Sequence, residues 1–295
     1  MPPVLYYCDH HEFPLPAGHK FPLRKYRMLR ELLMAESNYE FAPAPLASTE
    51  ALCSAHDRVY VESFIDGTIP QHVIRRIGFP WSPQLVKRTL ASAGGTLAAA
   101  HTALSDGFSA TLAGGTHHAF AAEGSGFCVF NDIAVAIRHL HLKQVAVIDL
   151  DVHQGDGTAQ IFQGDPNVFT LSVHSRHNFP FRKQQSRLDV ELDDDTADEA
   201  YLHALDRALQ QVGQFQPQFV FYQAGVDGLK EDKLGRLALT HTGLLERDRL
   251  VLAFAKRFAS PLVITLGGGY SEPIEHTVRA HYNTFKAAIT YQPQI

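Results

Sequence analysis

The chain has 295 residues, 45% of them hydrophobic, and a formal net charge of −5, enough to bury a substantial core. Acidic and basic residues are mixed along it, which excludes a basic nucleic-acid footprint, and no run approaches 18 consecutive apolar residues, which excludes a membrane-spanning helix. Cys8, Cys53 and Cys128 are few and widely spaced, so no disulfide framework is expected; with no basic and apolar leader in MPPVLYYCDHHEF, the expected location is the cytoplasm.

In chain order, VLYY (Val4–Tyr7) reads as a short strand entering a His- and Pro-rich loop. A helix is predicted over Lys25–Ala35, with Met28, Leu29, Leu32 and Leu33 on one stripe, and another over Asp57–Ile65. Residues 67–83, with Pro70, Gly78, Pro80 and Pro83, read as a long loop. Leu85–Leu104 follows as a small-residue helix, whose Gly94-Gly95 pair costs helix stability and implies close backbone approach. From Ser109 onward strands and helices alternate. TLAGGTHH (Thr111–His118), VAVIDLDVH (Val145–His153), FVFYQAGVD (Phe219–Asp227) and LVITLGGGY (Leu262–Tyr270) read as strands buried on both faces, the mark of a parallel sheet. Between them lie a strand over Val168–His174 and helices over Asn131–Leu140, with Asn131 as N-cap, Asp198–Val212 and Thr242–Phe258. The acidic Asp193–Asp195 reads as a solvated turn. With no linker or repeat, the expectation is one domain over residues 1–295: a three-layer, doubly wound α/β fold with right-handed crossovers.

Ligands bind outside the carboxyl ends of such strands, and there this chain collects its reactive residues. If the strand stays extended, Asp149, Asp151 and His153 share one side. Two carboxylates and an imidazole in one small volume repel and desolvate each other unless a cation is bound. Asp227 supplies a further carboxylate, and Asp151, His153 and Asp227 form a three-ligand set of the catalytic zinc type. Mixed N and O ligands also suit Fe(II), Co(II) or Mn(II), so the metal is left open. His117 and His118 follow Gly114-Gly115, where the chain can turn sharply. A neutral imidazole there can accept and return a proton, with Asp149 and Asp156 as the carboxylates behind the rings. Gly267-Gly268-Gly269 lacks the Gly-Lys-Ser/Thr ending of a phosphate loop and reads instead as a turn aiming the Tyr270 phenol at a carbonyl oxygen. Two loops, GSGFCVFND (Gly124–Asp132) and HNFPF (His177–Phe181), expose phenylalanines that could form a slot for a linear aliphatic chain. His72, His101, His139 and His203 receive no role.

The ordered set GGTHHA, GFCVFND, DLDVHQGDGT, LSVH, AGVD and LGGGY resembles the zinc-dependent histone deacetylase and acetylpolyamine amidohydrolase superfamily, which has the arginase–deacetylase fold. The resemblance spans roughly Asp9 to Tyr282, and the compact length and RIGFPWSP loop are most similar to the class IV branch and its bacterial relatives. It implies zinc on Asp151, His153 and Asp227. His118 would be the general acid–base, backed by Asp156, and His117 its electrostatic companion, backed by Asp149. Tyr270 would clamp the acyl carbonyl, with Phe127 and Phe179 walling the channel, Gly126 shaping its side and Gly268 beside the substrate. Structural potassium is implied at an inner site of Asp149, Asp151, His153, Ser172 and Val173, and at an outer one near Phe162, Asp165 and Val168. Three positions depart from the pattern. Thr116 stands where an aromatic residue is common, implying a roomier pocket floor. Lys25 matches an arginine of many relatives. Residues 67–105 hold no Asp or Glu, whereas many protein deacetylases carry a rim aspartate there.

The function expected is therefore metal-dependent removal of acyl groups from N6-acyl-lysine side chains of proteins or peptides, with no nucleic-acid or membrane partner. Small acylated amines are the alternative substrates, as in an acetylpolyamine amidohydrolase. Arg75, Arg76, Lys87 and Arg88, unopposed by acids, argue against a polycationic substrate. A catalytically silent acyl-lysine binding protein is the alternative of another class, and retention of every reactive residue argues against it.

Overall fold

A computed structural model describes residues 2–291. In chain order the elements are β1 (Val4–Tyr7), α1 (Arg24–Glu36), β2 (Glu40–Pro43), α2 (Thr49–Cys53), α3 (Arg58–Asp66), α4 (Gln71–Ile77), α5 (Pro83–Asp106) and β3 (Phe108–Thr111). There follow α6 (Asp132–His139), β4 (Val145–Asp149), α7 (Asp156–Ile161), β5 (Val168–Ser175), β6 (Leu188–Leu192) and α8 (Asp198–Gln214). The chain ends with β7 (Phe219–Gln223), α9 (His241–Arg257), β8 (Leu262–Thr265) and α10 (Glu275–Ala288). The strands form an eight-stranded sheet in the order β2-β1-β3-β8-β7-β4-β5-β6, and every pairing is parallel. This is the expected three-layer α/β architecture.

Alternation along the central strands decides the layers. Val145, Val147, Phe219, Phe221 and Val263 pack with Ala99, Ala103, Ile133 and Ile137 of α5 and α6 on one face. Their neighbours Ala146, Ile148, Val220, Tyr222, Leu262 and Ile264 pack with Leu205, Leu209, Val251 and Phe285 of α8, α9 and α10 on the other. Each buried Val, Leu, Ile or Phe among them contributes about 1.5–3 kcal/mol, which is why these runs carry no polar face. A separate cluster of Phe13, Leu52, Phe64, Ile77, Phe79 and Phe130 joins α2, α3 and α4 to the loops above the sheet. The close approach implied by Gly94 is to backbone: a Cβ there would lie 2.0 Å from the Pro45 carbonyl oxygen.

Several sequence expectations need correction. Residues 67–83 are not one loop, because Gln71–Ile77 is helical between Pro70 at its N-cap and left-handed Gly78 at its C-cap; the supposed breakers are the helix's delimiters. The run beginning at Thr111 is not a strand, since β3 ends at that residue. Likewise Asp149, Asp151 and His153 do not share a strand face. β4 stops at Asp149, whose Oδ1 accepts the Asp151 N–H at 3.1 Å, and Asp151 Oδ1 accepts the His153 N–H at 3.0 Å. Two successive side-chain-to-backbone turns bend the segment. The sequence reading also missed β2, β6, α2, α7 and α10. Among the described residues, no helix is long and apolar enough to cross a membrane.

Candidate active site

The ends of β3, β8, β7 and β4, neighbours in the sheet, open into a cleft of ≈ 1130 Å³ lined by His117, His118, Asp151, His153, Phe127, Phe179 and Tyr270 among others. Thus strands remote in sequence deliver their loops to one place.

At the floor, one donor atom from each of Asp151, His153 and Asp227 lies within 4.8 Å of the others. His153 Nδ1 faces both carboxylates, 3.0 Å from Asp151 Oδ1 and 3.1 Å from Asp227 Oδ2. The carboxylates are themselves held: Gly268 N–H donates to Asp151 at 2.7 Å and Val152 N–H to Asp227 at 2.9 Å. A Cβ on Gly268 would lie 1.9 Å from Asp227 Oδ2, so only glycine fits against this pair. Burial, with the Asp151 charge beside it, pushes the Asp227 carboxyl up to about 7. For His153, burial opposes ionisation, but the hydrogen bonds and charges of Asp151 and Asp227 outweigh it and raise the imidazole to about 10. Two buried acids thus compete for one positive charge at the point where three donors converge. The donor set fits a divalent ion, which satisfies the same convergence and displaces the proton.

Beside it, His117 Nδ1 pairs with Asp149 Oδ2 at 2.7 Å and His118 Nδ1 with Asp156 Oδ1 at 2.6 Å. Although adjacent and both buried, the rings are pushed in opposite directions. Burial works against the His117 cation, but Asp149 and Asp151 overcome it and raise the imidazole to about 9. Burial and the neighbouring His117 charge instead lower His118 to about 4. Tyr270 lines the same cleft, its phenol held protonated by burial and by the Asp151 and Asp227 charges.

Gly126 has φ +52°, and a Cβ there would meet His118 Cδ2 at 2.7 Å and Phe179 Cε1 at 3.1 Å. The Phe179 ring meets His118 edge-on, centroids 4.9 Å apart. Phe127 is backed by Phe79 at 5.2 Å and Phe21 at 5.5 Å. Thr116 lines the cleft, with its hydroxyl donating to Asp132 at 2.6 Å. Lys25 is wholly buried and donates to the Gly267 carbonyl at 3.1 Å; burial lowers its ammonium to about 8, against the pull of Asp227, Asp151 and Asp232. Of the potassium candidates, Asp149 and Ser172 are register partners across β4 and β5, and Val173 is buried beside them. In the outer group, the carbonyl of Phe162 accepts from Asp165 at 3.0 Å and that of Asp165 from Val168 at 3.4 Å.

The basic residues expected at the rim separate in space. Arg76 reaches the cleft and pairs with Glu123 at 2.7 Å. Arg88 also lines the cleft but is buried, donating to the Cys8 carbonyl at 2.7 Å. Arg75 and Lys87 do not line the cleft, whereas Lys20, Arg182 and Arg236 do.

The whole strand-end constellation agrees with a sequence match over residues 19–285 to the histone deacetylase domain. The chain belongs to that family. It is 43% identical, over 97% of its length and 98% of the relative's, to an uncharacterized protein of Picosynechococcus. It is also 38% identical to histone deacetylase 2 of Arabidopsis thaliana over 60% of the chain and 48% of the relative. With the acetoin utilization protein AcuC of Bacillus subtilis it shares 36% over 60% of the chain and 50% of the relative. The chain therefore spans about half the length of the two named relatives in these alignments. A solved structure of an HDAC homolog complexed with SAHA superposes over 98% of the chain and 83% of that structure, with a TM-score of 0.82 at 24% identity, which establishes the fold.

Within this family member, two aspartates escaped the sequence reading. Asp132 accepts the Gly115 and Thr116 N–H groups at 3.0 and 2.8 Å and so fixes the turn leading to the histidine pair. Asp232 accepts the Tyr270 N–H at 2.6 Å. The signal for Asp132 was its place directly after the N-cap Asn131; Asp232 left none.

Proposed function

We propose that the chain hydrolyses the side-chain amide of N6-acyl-lysine in peptides or proteins, yielding the free lysine amine and a carboxylate. The observation that carries this reading is the histidine pair, each ring held by a buried aspartate, beside three convergent metal-type donors, at the end of a slot walled by Phe127 and Phe179. Zn²⁺, or Fe²⁺ or Co²⁺, held by Asp151, His153 and Asp227, would supply Lewis acidity and lower the pKa of water to about 7.

The chain's own groups account for the proton traffic. Neutral His118 removes a proton from water as its oxygen attacks the acyl carbon, while Asp156 holds the ring's other nitrogen. When the C–N bond breaks, His118 returns that proton to the departing amine. His117, its Nδ1 held by Asp149, would stabilise the negative charge that develops on the acyl oxygen. The Tyr270 phenol, protonated throughout, donates to that oxygen. Phe127 and Phe179 sheath the lysine methylenes, and Gly126 leaves them room. Asp149, Ser172 and Val173 would hold a potassium ion under this floor.

Substrate class follows from charge. Lys20, Arg76, Arg182 and Arg236 line the cleft, and its acids other than Glu123 lie at the floor, so a free polyammonium chain meets like charge on entry. The small Thr116 at the floor supports acyl groups longer than acetyl.

A panel of acyl-lysine peptides of graded acyl length, with acetylputrescine and acetylspermidine, tests both statements. Higher kcat/KM on the peptides is expected, with turnover beyond acetyl. A preference for the polyamines would overturn the substrate class, turnover of acetyl alone the acyl-length reading, and binding without turnover the catalytic reading.

A further inference from the structure

Away from the cleft, three metal-type donors converge a second time. Glu231 lies on the loop after β7, His241 opens α9 and His276 lies in the first turn of α10. One donor atom from each lies within 4.8 Å of the others, and none of the three lines the cleft. His241 Nε2 stands 3.0 Å from His276 Nδ1. Glu231 Oε2 and His241 Nδ1 are buried and have no hydrogen-bond partner among the described residues. Lys230 approaches only the other oxygen, Oε1, at 3.8 Å.

An imidazole pair sharing one proton explains the 3.0 Å contact but leaves the Glu231 carboxylate oxygen unsatisfied, at about 1–3 kcal/mol; His241 Nδ1, on the other side of its ring, is not a donor to an ion held between the rings. A small cation changes that balance. Zinc bound to nitrogen at about 2.0–2.1 Å in tetrahedral geometry separates its ligands by about 3.3 Å, so a slight parting of the two rings admits it. Two imidazoles and one carboxylate are a complete protein ligand set for Zn²⁺, with water as the fourth ligand.

We propose that Glu231, His241 and His276 form a second site for a divalent transition metal, zinc foremost, distinct from the one at the cleft floor. The ion ties together the loop after β7 and the starts of α9 and α10. That loop carries Asp227, and the residue after Glu231 is Asp232, whose carboxylate accepts the Tyr270, Leu234 and Gly235 N–H groups. The second ion therefore braces the segment from which the floor is hung, without touching substrate.

The test is metal stoichiometry on the full chain, stripped with chelator, reloaded with excess Zn²⁺ and freed of loose metal. Wild type should hold two equivalents by elemental analysis. Asp227→Ala should keep one; His276→Ala and Glu231→Gln should each keep the other; Asp227→Ala/His276→Ala should keep none. Glu231→Gln is nearly isosteric and serves should His276→Ala fail to fold. Zn²⁺ should raise the Tm of Asp227→Ala but not that of Asp227→Ala/Glu231→Gln. One equivalent in wild type, abolished by Asp227→Ala, would overturn the proposal, as would a second equivalent indifferent to His276 and Glu231. Because each variant removes only its own ion, failure here is separable from failure of the floor site.

Discussion

At the floor of the cleft, Asp151, His153 and Asp227 are oriented by backbone N–H groups from Gly268 and Val152. At its mouth, Phe127 is held by rings packed from elsewhere in the chain, Phe21 and Phe79, and Phe179 by the edge of His118. The floor is thus fixed by directional hydrogen bonds between the loops just beyond the parallel strands. The mouth is fixed by nondirectional packing, which tolerates exchange of one ring for another. Chemistry depends on the first kind of support and substrate fit on the second.

The largest expected effect lies at the floor. Asp227→Ala should abolish turnover and the floor metal together while the circular-dichroism spectrum stays native, since one wall of the donor set is gone but the strands are not. Turnover that survives in the metal-free variant, checked by elemental analysis, would mean the reacting centre lies elsewhere. His118→Ala should come next, at about 10²–10⁴-fold in kcat, with Tyr270→Phe at about 10²–10³-fold and unchanged metal content. His117→Ala should cost less than His118→Ala, because it carries charge rather than a proton in transit. Equal, mild losses at all three positions would dissolve the distinction drawn between the two histidines.

Much of the floor was legible in the sequence and little of the mouth was. Asp151, His153, Asp227, the histidine pair and Tyr270 each follow an apolar run, so the rule that parallel strands present their carboxyl ends together groups them from sequence alone. The same rule misjudged how they get there: the strands stop at Asp149, Gln223 and Thr265, and the reactive residues sit on the loops beyond. Short-range side-chain bonds, such as Asp149 to the Asp151 N–H, leave no periodic signature. The mouth wall is a tertiary product. That Phe21 and Phe79 would pack against Phe127, or that Arg88 would turn inward to Cys8, depends on packing that neither composition nor period encodes. Hence α4 read as loop, and Arg88, which lines the cleft, read as free when it is tied inward.

Gly126 marks the boundary between the two regions, and a substitution there tests whether they are coupled. An added methyl would press on both His118 and Phe179. Gly126→Ala should lower kcat/KM by roughly 10²-fold, the scale for an ångström of misplacement, while leaving bound metal intact. A loss of metal with it would show that floor and mouth yield as one body.

The smallest effect concerns how the mouth loop is anchored, and it is one of stability rather than rate. His56 Nε2 accepts the Asn131 N–H at 2.9 Å, and Nδ1 donates to the Phe120 carbonyl at 3.0 Å, pinning the end of the segment that carries Gly126 and Phe127. Burial lowers this imidazole to about 4 from its ordinary 6.5. The folded state therefore favours neutral His56, and the unfolded chain takes up the proton first as pH falls. Its contribution is fully present above pH 6.5 and is lost progressively as pH falls toward 4. By pH 4.5 the loss is about 2–3 kcal/mol. His56→Gln supplies an acceptor and a donor without a titrating ring. It should shrink the stability difference between pH 7.5 and 4.5, measured by urea unfolding, by about that amount, leaving kcat at pH 7.5 nearly unchanged. An undiminished difference would mean that acid acts elsewhere, as at His118, whose imidazole burial likewise lowers to about 4.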